Sequence, residues 1–186
     1  MANIGTKEVA MHRNSWIWVI LLCFHNPSIF GAETAQGGHM QITSSAFQNN
    51  QMIPAQYTCE GHNNNPPLTI TGVPSQAKSL ALIVDDPDAP MGTWVHWVVF
   101  NIPAQSTMEI KEKQIPGIQG INNFGELNYG GPCPPSGTHH YFFKAYALDQ
   151  ELVLKQGAKK SEVEKAMKGH VLAEAQLIGL YKKRNP

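Results

Sequence analysis

Two segments of this chain carry most of the side chains that could do chemistry. Residues 85–90 read Asp-Asp-Pro-Asp-Ala-Pro and lead through Trp94 to His96. Residues 129–137 are rich in Gly and Pro, and residues 139–141 that follow read His-His-Tyr. Imidazoles, a phenol and loop N–H groups suit a phosphate-like oxyanion, while a carboxylate can orient a histidine or accept from an ammonium group. The pattern favours a binding site; the alternative is a solvated proline turn beside ordinary structural histidines.

Short apolar runs between Pro, Gly and Asn clusters predict the elements that position these residues. The predicted strands cover residues 68–70, 79–84, 95–102 and 139–148. The run over 79–84 has no charged residue, which predicts a largely buried strand. Two of the strands start at the residues that could do chemistry.

The alternation of side chains along a strand predicts which of these residues share a face. His139, Tyr141 and Phe143 should face one way, and His140 should face the other way. By the same alternation, His96 should share a face with the apolar residues two and four positions later, Val98 and Phe100.

In the C-terminal part, the spacing of the apolar residues changes from the period of a strand to that of a helix. Residues 161–164, Ser-Glu-Val-Glu, read as a capping box that begins a helix, with an interruption at Gly169 and a second helix over residues 170–181. The predicted fold is therefore mainly β: an antiparallel, Greek-key-like β-sandwich with one or two short C-terminal helices.

Charge is sparse and balanced. The 186 residues include 14 Lys+Arg and 14 Asp+Glu, so the formal net charge is zero, and only 15% of residues are charged. This argues against nucleic-acid binding, which needs a strongly basic face. Because the net charge is zero, any charge that matters for function must be local. The 42% of hydrophobic residues suffice for the core of one domain.

The N-terminal 39 residues differ from the rest. A weakly basic start, an apolar run over residues 16–24 and a break near residues 31–32 resemble a secretory signal peptide, and the run is too short to span a bilayer. We predict a signal peptide and linker over residues 1–39 and one domain over residues 40–186, periplasmic or secreted. If Met40 is the true start, the protein is cytoplasmic.

Two of the three cysteines, Cys59 and Cys133, belong to the predicted domain. In an exported domain such a pair can form a disulfide, and two small buried thiols are the equally weighted alternative. The spacing matches no zinc site and no catalytic-cysteine signature.

Four stretches of sequence resemble the phosphatidylethanolamine-binding protein family. Residues 82–103 are similar to its first signature and residues 129–141 to its second. Residues 57–61 and 169–175 also resemble the bacterial, Raf-kinase-inhibitor-like branch. The resemblance runs from about Met40 to Lys182 and implies a β-sandwich with a small anion pocket at one end.

The resemblance also implies which residues form that pocket. The ligand-binding residues implied by position in the motifs are Asp86, Asp88, Trp94, His96, Cys133, His139 and Tyr141. Asp88 would support the turn beside Asp86, and a disulfide from Cys59 would stiffen the loop. The sequence departs from the family pattern at His140, where relatives usually have Arg, and at Ile70, where bacterial relatives often have Trp.

The resemblance implies non-enzymatic binding of a phosphate-bearing anionic ligand of the phosphoethanolamine head-group type, with no cofactor and no metal. It also implies, for some relatives, inhibition of a kinase or serine protease. We expect His96 and His139 to supply positive charge that depends on pH near neutrality. Two alternatives stay open: a metal-dependent hydrolase using an Asp/His cluster, and a protein-interaction scaffold with a vestigial pocket. No H-E-x-x-H or G-x-S-x-G motif is present, and the oligomeric state is not predicted.

Overall fold

The computed structural model describes residues 1–2 and 39–184. The predicted signal peptide and linker therefore lie almost wholly outside the described residues. The described strands, in chain order, are β1 (Gln41–Ser44), β2 (Gln51–Met52), β3 (Leu68–Thr71), β4 (Ser79–Asp86), β5 (Trp94–Pro103), β6 (Thr107–Ile110), β7 (Ile118–Gln119), β8 (His139–Leu148) and β9 (Val171–Tyr181). A 3-10 turn covers Ala55–Tyr57, and one α-helix, α1, covers Lys160–Met167.

The strands form two sheets, which confirms the predicted mainly β sandwich. The smaller sheet has the order β1-β3-β6, and the larger has the order β2-β9-β8-β4-β5-β7. All pairs are antiparallel except β2 with β9. All four strands predicted from the apolar runs are present.

The larger sheet is buried on both faces in its centre. Every residue of β4 is buried, which explains why its sequence has no charged residue before Asp85. Leu82 and Val84 face the cluster between the two sheets, whereas Ala81 and Ile83 face a second cluster that α1 covers. The last two residues of β4 follow this alternation, so Asp86 faces the interior of the sandwich and Asp85 faces the helix side.

The second predicted helix is wrong, because residues 171–181 form strand β9. Apolar residues in this segment fit either period, and only pairing decides between them. As a strand it satisfies the backbone edge of β8 along its whole length, from His139 opposite Tyr181 to Leu148 opposite Val171. A Cβ at Gly179 would lie 2.5 Å from Ile53, so this backbone must come close to the core. Among the described residues, the C-terminal part therefore contains one helix, α1.

The start of α1 also differs from the predicted capping box. The Lys159 backbone N–H donates to Glu162 Oε2 at 2.8 Å, so Lys159 and not Ser161 is the residue before the helix. The predicted interruption is present, because the chain leaves the helix through Gly169 with φ +84°. No helix within the described part of the chain is long and apolar enough to cross a membrane.

Candidate functional site

A cavity of about 320 Å³ lies where β4, β5 and β8 meet at one end of the sandwich. Its lining residues are Asp86, Ala89, Pro90, Met91, Trp94, His96, Phe124, Cys133, Pro134, Pro135 and Tyr141. The structure thus brings together five of the seven residues that the sequence indicated. His139 lies directly behind Asp86, and Asp88 lies outside the lining.

The Asp86 carboxylate is held in one orientation from two sides. His139 Nδ1 lies 2.7 Å from Asp86 Oδ2, and the Asp88 backbone N–H donates to Asp86 Oδ1 at 2.9 Å. Both side chains of the Asp86–His139 pair are nearly buried, at 5% and 9% exposure. The alternation in β4 and β8 that buries Leu82 and Tyr141 puts this pair at the inner end of the pocket.

A β-bulge turns His96 into the pocket. Val84 pairs with Trp97 and Asp85 pairs with Val95, so His96 is the extra residue of β5. A bulge shifts the alternation and re-aims a side chain.

The prediction that His96 shares a face with Val98 and Phe100 is therefore wrong. Those two residues pack in the cluster under α1. The His96 ring instead meets the Tyr141 ring edge-on, with centroids 5.1 Å apart.

His96 is held in one tautomer. Its Nδ1 lies 2.7 Å from the Gly130 carbonyl oxygen, which can only accept, so Nδ1 carries the hydrogen. The Gly130 N–H returns a bond to the His96 carbonyl at 2.9 Å.

Burial lowers the pKa of His96, although the Gly130 carbonyl and the Asp86 charge oppose the shift. The expectation that His96 carries charge near neutrality is thus corrected: the ring is neutral there and keeps a free lone pair on Nε2.

Tyr141 places an unsatisfied hydroxyl at the pocket. The residue is fully buried on β8, and its hydroxyl makes no well-formed hydrogen bond among the described residues, although the Cys133 backbone and the Asp86 carboxylate lie near it. Burial, with the nearby Asp86 charge, raises the pKa of Tyr141, so the phenol keeps its proton. A buried donor without a partner costs free energy, which a ligand atom could recover.

Asp88 and His140 form a separate pair at the surface. Asp88 Oδ2 accepts from the His140 backbone N–H at 2.9 Å and lies 2.7 Å from His140 Nδ1. The side-chain hydrogen bond from His140 lowers the pKa of Asp88 more than its slight burial raises it. The predicted support of the turn beside Asp86 is present, and Asp88 itself lies outside the pocket lining. His140 points away from the pocket, as the alternation predicted.

The pocket loop that contains Cys133 is bonded to the segment around Cys59. Cys59 and Cys133 form a disulfide with Cα atoms 5.5 Å apart, and the Cys59 N–H donates to the Pro132 carbonyl at 3.1 Å. A Cβ at Gly131 would lie 2.7 Å from the Tyr57 carbonyl oxygen, so only glycine permits this close approach. Cys133 therefore sits at the pocket as part of a fixed loop.

Phe124 is the main pocket residue that the sequence reasoning missed. Its ring makes edge contacts with Trp94 and His96, both at 5.5 Å between centroids. Asn122 Oδ1 fixes the turn by accepting from the N–H groups of Phe124 and Glu126 at 3.0 and 2.9 Å. The Asn-Asn-Phe-Gly run is a recognisable turn signal, but nothing in it tells which cavity the aromatic ring would cover.

The geometry does not favour the metal-dependent hydrolase. That alternative needs Asp86, Asp88, His96 and His139 to converge. Within residues 1–2 and 39–184, no three His, Cys, Asp or Glu side chains come together as metal ligands would. Asp86 pairs with His139, while Asp88 turns to His140 at the surface.

The fold and the site together define a class of protein: a β-sandwich with a small Asp/His/Tyr pocket at one end. The family model for phosphatidylethanolamine-binding protein matches residues 43–182. A UPF0098 protein of Methanothermobacter thermautotrophicus is 53% identical over 152 residues, which cover 77% of this chain and 99% of that protein. The chain belongs to the phosphatidylethanolamine-binding protein family.

Two solved structures are similar over most of the domain. A homologue of phosphatidylethanolamine-binding protein from Chlamydia trachomatis is 45% identical with a TM-score of 0.74, covering 78% of this chain and 98% of that chain. YbcL of E. coli, described as a member of the mammalian family, is 33% identical with a TM-score of 0.72, covering 78% and 99%.

Proposed function

We propose that this protein binds, without chemical turnover, a small phosphate-bearing ligand of the phosphoethanolamine head-group type in the pocket beside Asp86. The observation that carries the proposal is the buried Tyr141 hydroxyl, which has no partner among the described residues and lies in the same cavity as His96. The cavity, about 320 Å³, is at the lower end of the range for small-ligand sites. A head group fits this size better than a whole lipid.

The polar groups of the pocket divide between the two ends of such a ligand. The Tyr141 hydroxyl, and His96 Nε2 when the ring is protonated, can donate to a phosphate oxygen. The Asp86 carboxylate can accept from an ammonium group, and the Trp94 and Phe124 rings offer apolar faces beside it. Among the lining residues Cys133 is in a disulfide and none is Ser or Thr, so the pocket offers no hydroxyl or thiol nucleophile of the Ser, Thr or Cys type.

Tyr141→Phe tests the unsatisfied hydroxyl in two ways at once. We expect the affinity for glycerophosphoethanolamine, measured by calorimetry, to fall about fivefold, because one hydrogen bond of about 1 kcal/mol is lost. We expect the ligand-free variant to be more stable than the parent by up to about 1 kcal/mol, because a buried unpaired hydroxyl is removed.

The matched control is Tyr146→Phe, which changes a half-buried tyrosine on the opposite face of the same strand. It should leave the affinity unchanged. Unchanged affinity in Tyr141→Phe as well would contradict the proposed role of the hydroxyl.

The pH dependence of ligand affinity tests the proposed role of His96. Only the imidazolium can donate from Nε2, so affinity should rise as the pH falls, by up to about tenfold per pH unit. Because burial lowers the pKa of His96 below its usual 6.5, the rise should level off only below that value. Glycerophosphoethanolamine is a suitable probe because a phosphodiester keeps its single charge over this range.

Calorimetry between about pH 5 and about pH 8 measures this dependence. His96→Asn serves as the control, since it removes the imidazole and should bind weakly, with a flatter pH profile than the parent. A parent protein with equal affinity at both ends of the range would exclude a charged His96.

A further inference from the structure

A second cavity, of about 230 Å³, lies between three loops and strands β5 and β7. Its walls are amide side chains from three loops and strand β7: Asn63, Asn64, Asn65, Gln114, Gln119 and Asn128. Its remaining lining residues are Trp97, Tyr129, Lys113 and Ile115. We call this cavity the amide cleft. It is separate from the pocket, because the two share no lining residue.

Several amide atoms in the cleft are left over after internal hydrogen bonding. Asn63 Oδ1 accepts from the Gly131 N–H at 2.7 Å, and Asn65 Nδ2 donates to the Lys111 carbonyl at 2.9 Å. Neither Asn63 Nδ2 nor Asn65 Oδ1 has a partner within the part of the chain that the structure describes. The same holds for both side-chain amide atoms of Asn128. The cleft therefore offers donors and acceptors side by side.

The two aromatic residues beside the cleft are almost completely buried, Trp97 at 1% and Tyr129 at 6% exposure, and their polar atoms already have partners. The Trp97 indole N–H donates to Gln119 Oε1 at 2.7 Å, and the Tyr129 hydroxyl donates to the Tyr57 carbonyl at 3.0 Å. Ile115 adds an aliphatic side chain that is 72% exposed. The exposed apolar surface of the cleft is therefore that of Ile115, which lies beside amide groups that can both donate and accept.

Backbone strain is concentrated at the same place. Asn63 has φ +58° and Lys113 has φ +62°, and these are two of the four non-glycine residues with positive φ that the described residues contain. A lysine in this conformation costs free energy, and such residues gather at functional sites. The strain supports a binding role for the cleft.

We infer that the amide cleft is a second binding site, for one neutral hydroxyl-rich ring such as a pyranose. A hydroxyl both donates and accepts, which matches an Asn or Gln amide, and the C–H face of such a ring matches apolar side chains. Lys113 is the one charged residue in the lining, so the cleft does not offer the several cations that a polyanion requires. The volume limits the occupant to about one ring.

The test is a ¹H–¹⁵N NMR titration of the full chain with methyl α-D-glucopyranoside, methyl α-D-galactopyranoside and methyl α-D-mannopyranoside. At least one glycoside should cause saturable shifts of the Trp97 indole N–H and the cleft amides, with a millimolar dissociation constant. Absence of such shifts for all three at about 50 mM, or shifts at the pocket instead, overturns the inference.

Asn128→Ala separates binding in the cleft from unspecific effects. Its side chain is exposed and makes no hydrogen bond among the described residues, so the fold should not suffer. We expect about fivefold weaker glycoside binding, from the loss of one hydrogen bond. Gln105→Ala, an exposed amide outside the cleft, should bind as the parent does. Equal binding by Asn128→Ala and the parent also overturns the inference.

Discussion

Replacing Cys59 and Cys133 together with Ser is expected to lower the free energy of unfolding by about 4 kcal/mol at 25 °C. The disulfide joins residues 74 positions apart, so it removes a large loop-closure entropy from the unfolded chain. For a domain of this size, the loss corresponds to about 10 °C in Tm. Chemical denaturation of the oxidised parent and of the double variant measures it.

The effect should act mainly through the unfolded state. The Cys59 N–H still donates to the Pro132 carbonyl, and the Gly131 N–H still donates to Asn63, so the pocket loop keeps its native fastening. We therefore expect the variant to retain its affinity for glycerophosphoethanolamine. Dithiothreitol supplies the control, because it should destabilise the parent and leave the double variant unchanged. Equal unfolding of the parent and the variant under oxidising conditions would contradict the expectation.

The second large expected effect on stability concerns the buried carboxylate of Asp85. Its side chain is 1% exposed on the helix side of β4, with Lys144 Nζ at 2.8 Å from Oδ1 and Lys160 Nζ at 2.5 Å from Oδ2. Burial lowers the pKa of Lys160, but the hydrogen bond and charge of Asp85 outweigh it and raise that pKa overall. The two lysines thus join β8 and α1 to β4 through one carboxylate.

Replacing Lys144 and Lys160 together with Met is expected to cost about 3–5 kcal/mol at neutral pH, because a buried charge loses both partners. Denaturant unfolding of the parent and of the double variant at neutral pH measures this loss.

Two related variants control this experiment. Lys160→Met alone leaves the Lys144 partner and should cost less than the double variant. Adding Asp85→Asn to the double variant removes the unpaired charge and should restore part of the lost stability. A double variant as stable as the parent at neutral pH would show that the carboxylate needs neither lysine.

His96 shows how a local pattern can identify a residue and still misplace it. Its position after a proline-framed turn marked it as a site residue, and it does line the pocket. Strict alternation assigned it to the wrong face, because the bulge opposite Val84 and Asp85 arises only when β5 pairs with β4. Its lowered pKa likewise depends on burial by distant segments.

Residues 170–181 show the same limit for a whole element. The apolar residues fit a helix and a strand equally, so no local rule separates the two. The segment forms a strand because it pairs with the edge of β8 and because Gly179 packs closely against Ile53. Both contacts involve residues far away in the chain.

The amino-acid sequence by itself determined the features that depend on neighbouring residues. These are the four central strands, the turn that begins at Asp86, the face shared by His139 and Tyr141, and the family through its two motifs. The tertiary structure alone decided the bulge at His96, the Phe124 wall, the unpartnered Tyr141 hydroxyl and the separate pairing of Asp88 with His140. The physical reason is that burial, pairing and desolvation are set by segments distant in sequence, whereas strand period and turn chemistry are set within a few residues.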